Sequence, residues 1–173
     1  MNLPNKLTLA RIIAVPVFVV LYMKGLFIPA FIIFILASLT DMLDGKIARK
    51  YNLITNFGKI MDPLADKILV YSAFCLMIED GTMPSWMLIV ILLREFAVSG
   101  MRTVAAANGI VIAAGMSGKI KTVLQMIAVP LLILRSVHPV LQTLATVFLW
   151  ASMVMTVYSG IEYIVQNRQV FKE

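Results

Sequence analysis

Little in this chain can bind a soft metal or run imidazole chemistry, because its 173 residues include one cysteine, Cys75, and one histidine, His138. A disulfide framework, a Cys/His zinc site and a histidine-dependent triad are thereby excluded. Charge is also scarce, at 14% of residues, and acid is scarcer than base, with 9 Asp and Glu against 15 Lys and Arg. Any chemistry must come from carboxylates, ammonium and guanidinium groups and hydroxyls. What is abundant is apolar surface. Hydrophobic residues make up 61% of the chain, with 12 Met and 9 Phe among them, a composition foreign to ordinary soluble domains.

Apolar runs bounded by turn or charge signals fall at 7–23, 26–40, 64–78, 84–107, 120–134 and 139–165. A spanning helix needs roughly 20 apolar residues, so six of them consume nearly the whole length. The expectation is an all-α integral membrane protein with six transmembrane helices, forming a single domain over 1–173. Residues 1–6, with Pro4 among polar neighbours, are assigned to the membrane interface. No repeat, low-complexity tract or interdomain linker interrupts this pattern. The first run follows a basic N-terminus, as a signal peptide would, but no small-residue cleavage site leads into a mature soluble chain.

The basic excess reads as sidedness, with no nucleic-acid partner implied. With the N-terminus cytoplasmic, the inner segments hold Lys6, Arg11, Lys46, Arg49, Lys50, Lys59, Lys67, Arg102, Lys119, Lys121, Arg168 and Lys172, whereas the outer loops hold Lys24 and Arg135. The positive-inside rule then puts both termini in the cytoplasm.

The acidic residues are few enough to place singly. Glu79 and Asp80 fall in an outer turn before Gly81, and Glu162 and Glu173 near the C-terminal end, all with an ordinary surface reading. Asp41 and Asp44 end the second run, Asp62 and Asp66 flank the start of the third, and Glu95 lies inside the fourth. There a carboxylate is costly unless it faces a cation or a wet cavity. At 100° per residue, Asp41, Asp44, Gly45 and Ala48 share an arc of about 100°, with Arg49 just beyond it. Gly58, Asp62 and Asp66 share a similar arc if their stretch is helical.

Four carboxylates converging near a membrane surface repel one another unless a cation sits among them. Oxygen-only ligation suits Mg²⁺, Mn²⁺ or Ca²⁺, and four carboxylates suffice for two ions. A metal pair in turn suits displacement at phosphorus. Gly45 and Gly58 would admit a phosphate close to the backbone, with Arg49 as a charged anchor. Taken singly, each Asp has a plainer reading. Asp62 before Pro63 has the form of a helix N-cap, and Asp44 has Lys46 and Arg49 within pairing reach. No capping role, however, requires Asp41 and Asp66 as well.

The run Asp41-Met42-Leu43-Asp44-Gly45-Lys46-Ile47-Ala48-Arg49, followed by Gly58, Asp62 and Asp66, resembles the signature of the CDP-alcohol phosphotransferase family without a departure. Weaker matches extend over most of the chain. They are Pro4-Asn5-Lys6-Leu7-Thr8-Leu9-Ala10-Arg11, then Arg94-Glu95 with Ser99 and Arg102, and Gly118-Lys119-Ile120-Lys121-Thr122. These are similar to the members whose acceptor is glycerol 3-phosphate. The resemblance implies a six-helix homodimer with a cytoplasmic-side active-site cavity, in a bacterial inner or plasma membrane, joining CDP-diacylglycerol to sn-glycerol 3-phosphate and releasing CMP. It implies that Asp41, Asp44, Asp62 and Asp66 bind two divalent cations, Mg²⁺ or Mn²⁺, and that Asp66 also takes the acceptor's proton. It further implies that Gly45, Ala48, Arg49 and Gly58 line the cytidine diphosphate pocket, with Thr8 contributing from the first span. Thr8 also has a plainer reading as a helix start.

Arg94, Arg102, Lys119 and Lys121 form the expected cradle for the acceptor phosphate. On a regular helix Glu95, Ser99 and Arg102 lie within about 60° of one another, while Arg94 points about 100° from Glu95, so the adjacent pair is not expected to neutralise itself. Lys121, Thr122 and Gln125 share a face, with Lys119 at its edge. The plainer reading of Arg102, Lys119 and Lys121 is a set of positive-inside residues facing anionic headgroups. Two functional alternatives remain open at this level. One is another acceptor, such as inositol phosphate, serine or a phosphatidyl lipid. The other is a divalent-cation transporter, which places its ligands near mid-membrane in repeated halves. Here the carboxylates sit at helix ends in one half only.

Overall fold

A computed structural model describes residues 3–50, 55–113 and 115–171; within it the side chains at 3, 4, 41–50, 56, 57, 59, 60, 63, 66, 170 and 171 are outside the description. Among the described residues the fold is all-helical, with α1 Leu3–Met23, α2 Phe27–Lys50, α3 Asn56–Glu79, α4 Ser85–Ala107, α5 Met116–Ile133 and α6 Pro139–Gln166, followed by a 3₁₀ turn at Arg168–Phe171. Asn5–Met23, Met116–Ile133 and Pro139–Gln166 are each long and apolar enough to cross a membrane, and Phe27–Thr40 is a shorter apolar stretch.

The helices stop where the backbone can turn. Gly25, Gly81 and Gly109 all take positive φ, between 72° and 74°, a conformation that a Cβ disfavours. Each closes its helix the same way. The glycine N–H reaches back to Tyr22, Ile78 or Ala106, and the next N–H to Leu21, Met77 or Ala105, capping carbonyls that would otherwise be orphaned. At the other ends, Thr55 caps α3 by accepting from the Gly58 N–H at 3.0 Å, and His138 Nδ1 accepts from Val140 N–H ahead of α6.

Four boundaries differ from the sequence expectation, the end of α2 and the starts of α1, α3 and α5, the last at Met116 and not residue 120, and each difference lengthens the helix. α2 continues to Lys50, beyond the last apolar residue, and α3 begins at Asn56, so 41–50 and 56–66 are both helical. Asp62 is therefore inside α3, and the N-cap is Thr55. α1 is continuous from Leu3, which makes Asn5 and Lys6 part of its first turns.

The starts of α1, α3 and α5 meet the ends of α2, α4 and α6 at one end of the bundle. α5 packs on α6, α2 and α3, and α1 on α2 and α3. The far half has an apolar core in which Phe18, Phe34, Phe74, Met77, Met87 and Ile133 are fully enclosed. The near half buries Asn5, Thr8, Arg11, Glu95, Ser117, Lys121, Gln125 and Ser159. Such groups are costly to bury unless they are partnered, and the near end is where function belongs.

The far end is tied shut by polar contacts. Tyr22 donates to Asp80 at 2.5 Å, and Arg135 bridges Asp80 and Tyr22 at 3.0 and 3.3 Å. Asp80, expected as a plain surface residue, thus joins the ends of α1, α3 and α5. Trp86 and Trp150 pack on each other with ring centres 5.9 Å apart.

Candidate active site

A cavity of about 430 Å³ opens at the near end, walled by Lys67 of α3, by Arg94, Glu95, Ser99 and Arg102 of α4, by Gly118, Lys119 and Thr122 of α5, and by Ser159, Glu162 and Tyr163 of α6. It brings together Arg94, Arg102 and Lys119 of the expected phosphate cradle. Lys121 is placed differently. It is only 3% exposed, and its ammonium lies 2.6 Å from Glu95, behind the cavity wall.

Glu95 binds more than Lys121. Its Oε1 also meets Arg94 Nη1 at 2.8 Å, and its Oε2 meets Lys67 Nζ at 3.2 Å. The helical-wheel expectation that Arg94 and Glu95 do not neutralise each other is overturned. Side chains this long close an angular gap that separates their Cβ atoms. Arg94 also donates to Ser159 Oγ at 3.2 Å, and Lys67 to Ser99 Oγ at 3.4 Å.

Space for the Arg94 side chain comes from two glycines on different helices. A Cβ on Gly118 would stand 3.0 Å from Arg94 Nη2, and one on Gly160 would stand 3.0 Å from Arg94 Cγ. Arg102 donates to the Tyr163 hydroxyl at 3.0 Å, and its guanidinium lies 5.4 Å from that ring's centre. Glu162 accepts from Ser117, so it faces the cavity and not the open surface expected for it. Sequence reasoning also passed over Ser159 and Tyr163. Their signal was present, because Ser152, Thr156, Ser159 and Tyr163 recur on one face of the otherwise apolar α6, and all are buried.

The carboxylate motif lies beside this cavity. Thr8 Oγ1 donates to Asp62 Oδ1 at 2.5 Å, and Thr55 donates to Asn5 Oδ1 at 2.9 Å, so α1 braces the start of α3. Gly58 is buried there. A Cβ would come within 3.3 Å of Asp62 Oδ2 and Thr55 Oγ1. The side chains of Asp41, Asp44, Ala48, Arg49 and Asp66, and the surroundings of Gly45, lie outside the description, although the backbone at all six is helical. Among the described residues no group of three His, Cys, Asp or Glu could hold a metal ion. The donor chemistry fits a hard divalent ion. Asp41 and Asp44 lie on α2, Asp62 and Asp66 on α3, these helices touch, and all the donors are carboxylate oxygens.

Known proteins are similar to this chain over nearly its whole length. A Bacillus subtilis CDP-diacylglycerol--glycerol-3-phosphate 3-phosphatidyltransferase is 44% identical over 188 aligned positions, covering 99% of this chain and 97% of that protein. The protein of that name from Rickettsia typhi is 39% identical over 94% of each chain. A probable phosphatidylglycerophosphate synthase from Mycobacterium tuberculosis is 38% identical, over 94% of this chain and 80% of its own length. The profile of the CDP-alcohol phosphatidyltransferase family matches residues 1–158, and with the Asp41–Asp66 motif on two touching helices the chain belongs to that family.

Proposed function

We propose that this protein transfers the phosphatidyl group of CDP-diacylglycerol to sn-glycerol 3-phosphate, giving phosphatidylglycerol phosphate and CMP. The observation that carries the acceptor assignment is the cationic cavity beside the Asp motif. Arg102 and Lys119 face it without a carboxylate partner among the described residues, as a dianionic phosphomonoester would need. The names of the relatives point the same way.

Asp41, Asp44, Asp62 and Asp66 would hold two divalent cations, Mg²⁺ or Mn²⁺, whose charge would neutralise the diphosphate and the departing CMP. The remaining work belongs to the chain. Thr8 orients Asp62 through its hydroxyl. Gly45, Ala48 and Gly58 leave room for the cytidine diphosphate, and Arg49 anchors its charge. Arg94, Arg102 and Lys119 hold the acceptor phosphate, and Lys121 acts from behind through Glu95. Asp66 removes the proton from the attacking hydroxyl, in a site where His138 is at the opposite end of the bundle. The attacking oxygen forms the new P–O bond as the bond to CMP breaks.

All six helices cross the membrane in this reading, as one domain. α2, α3 and α4 have 24, 24 and 23 residues, which at 1.5 Å per residue gives about 35 Å, enough for a bilayer core of roughly 30 Å. The distribution of Lys and Arg puts the cavity and both termini on the cytoplasmic side. The working unit is a homodimer, as the family resemblance implies. CMP release by the purified protein, measured with CDP-diacylglycerol and a panel of acceptors, tests the function. Glycerol 3-phosphate should support release, with inositol phosphate, serine and glycerol far behind. Equal use of unphosphorylated glycerol or serine would refute the acceptor assignment.

A further inference from the structure

Glu95 has no assigned place in this chemistry, yet its carboxylate makes three ion pairs with described residues. It is 9% exposed, and its two oxygens collect cations from three helices: Lys67 of α3, Arg94 of α4 and Lys121 of α5. Unpaired, these cations would repel one another in a partly desolvated setting. The carboxylate divides them in an ordered way. Oε1 takes Arg94 and Lys121, and Oε2 takes Lys67.

We propose that Glu95 is the positioning residue of the acceptor cavity, holding Lys67 and Arg94 so that their remaining N–H groups point at the acceptor's phosphate. This deepens the proposed function and rests on it. A guanidinium has five N–H donors and an ammonium three. Arg94 gives one to Glu95 and one to Ser159, and Lys67 turns to Glu95 and Ser99, so each keeps donors for a ligand in the cavity they both line. The Arg94 side chain is further fixed by Gly118 and Gly160, against which it lies too closely for a methyl group. Lys121, too buried to reach an acceptor, fixes Glu95 from behind. The same arrangement limits the positive charge of the empty cavity, so that the cations gather without an occupant.

Glu95→Gln tests this with almost no change in volume. An amide offers one acceptor oxygen and a donating NH₂ group. Whichever way it turns, either Lys67 or the Arg94–Lys121 pair then faces a donor. Kinetics of CMP release in nanodiscs should show the KM for glycerol 3-phosphate raised by about ten-fold or more and that for CDP-diacylglycerol changed by less than about three-fold. Glu95→Asp, which keeps both acceptor oxygens, should recover part of the loss. Gly118→Ala supplies an independent arm, because its methyl meets Arg94 Nη2 while every charge stays in place, and it should give the same selective rise. A parallel change in both KM values, or an unchanged KM for glycerol 3-phosphate, overturns the proposal. If Glu95→Gln does not fold, Gly118→Ala decides on the same criterion. A wild-type protein that releases no CMP with any phosphorylated acceptor overturns the phosphatidyltransfer reading itself.

Discussion

Thr8 and Asp62, 54 residues apart, share a 2.5 Å hydrogen bond that fastens the first turns of α1 to the carboxylate motif on α3. One oxygen of Asp62 is oriented by this hydroxyl, while the other faces Gly58. Groups that orient a metal-binding carboxylate matter nearly as much as the carboxylate, and losing one weakens metal affinity by about 10- to 100-fold. Thr8→Val should therefore raise the Mg²⁺ or Mn²⁺ concentration for half-maximal CMP release by at least about ten-fold. EDTA should abolish activity and either ion restore it. Asp62→Asn should weaken both metal and nucleotide binding. Full turnover of a metal-free preparation would contradict the two-ion site.

The base is tested by Asp66→Asn at saturating metal, which separates proton removal from ion binding. General-base catalysis is worth about 10² to 10⁴ in rate. The variant should lose at least about 10²-fold in kcat and keep measurable CDP-diacylglycerol binding. Lys67→Met, at the neighbouring position, should act mainly on the KM for the acceptor. Near-normal kcat for Asp66→Asn would move the base elsewhere.

Arg102 meets the cavity through a guanidinium supported by Tyr163. Arg102→Gln should lower kcat/KM for glycerol 3-phosphate by about ten-fold or more, on the scale of roughly 1.5 to 3 kcal/mol for a charge-assisted hydrogen bond. Its effect on CDP-diacylglycerol binding should be small. Tyr163→Phe keeps the ring and removes the hydroxyl, so it should be milder. Equal losses for both substrates after Arg102→Gln would instead mark Arg102 as a general support of the fold.

The far-end cluster predicts a pH dependence of stability. Burial pushes the Asp80 carboxyl up, but hydrogen bonds from Thr82 and Tyr22 and the Arg135 charge outweigh it and hold the pKa below its ordinary value. A carboxyl depressed in the folded state stabilises above its unfolded pKa, near 3.9, and loses that contribution as pH falls through the lower folded value. Asp80→Asn should accordingly lower Tm at pH 7, and the gap from wild type should narrow below about pH 4. A gap that stayed constant down to pH 3 would count against the charge as its origin.

The pattern of apolar runs locates where lipid contact ends, which is a different place from where a helix ends. The end of α1 and the bounds of α4 and α6 lie close to expectation because turn residues and hydropathy change together at Gly25, Gly109 and Pro139. α2 and α3 outrun theirs because Asp41 to Lys50 and Asn56 to Asp62, where charged and polar residues interrupt the apolar run, are still helical. The carboxylate motif was legible because its spacing repeats within single helices. The ion network was not. Lys67 and Lys121 reach Glu95 from helices 28 and 26 residues away along the chain, and no local period encodes such a meeting. Glu162 was read by its nearness to the C-terminus, whereas the length of α6 carries it into the cavity.

The division of the interior into a polar near half and an apolar far half has a cost-saving consequence for the cell. A wet, charged cavity opened in one face of a membrane is a potential conduit for protons and ions. Here the packed rings of Phe18 and Phe34, 5.8 Å apart, with Phe74 and Met77 fully enclosed in the same core, put an apolar layer between the cavity and the Asp80–Arg135 cluster, where a charge would find no solvation. In the proposed membrane placement, the bundle would hold a water-soluble substrate on one side and still keep an insulating layer toward the other.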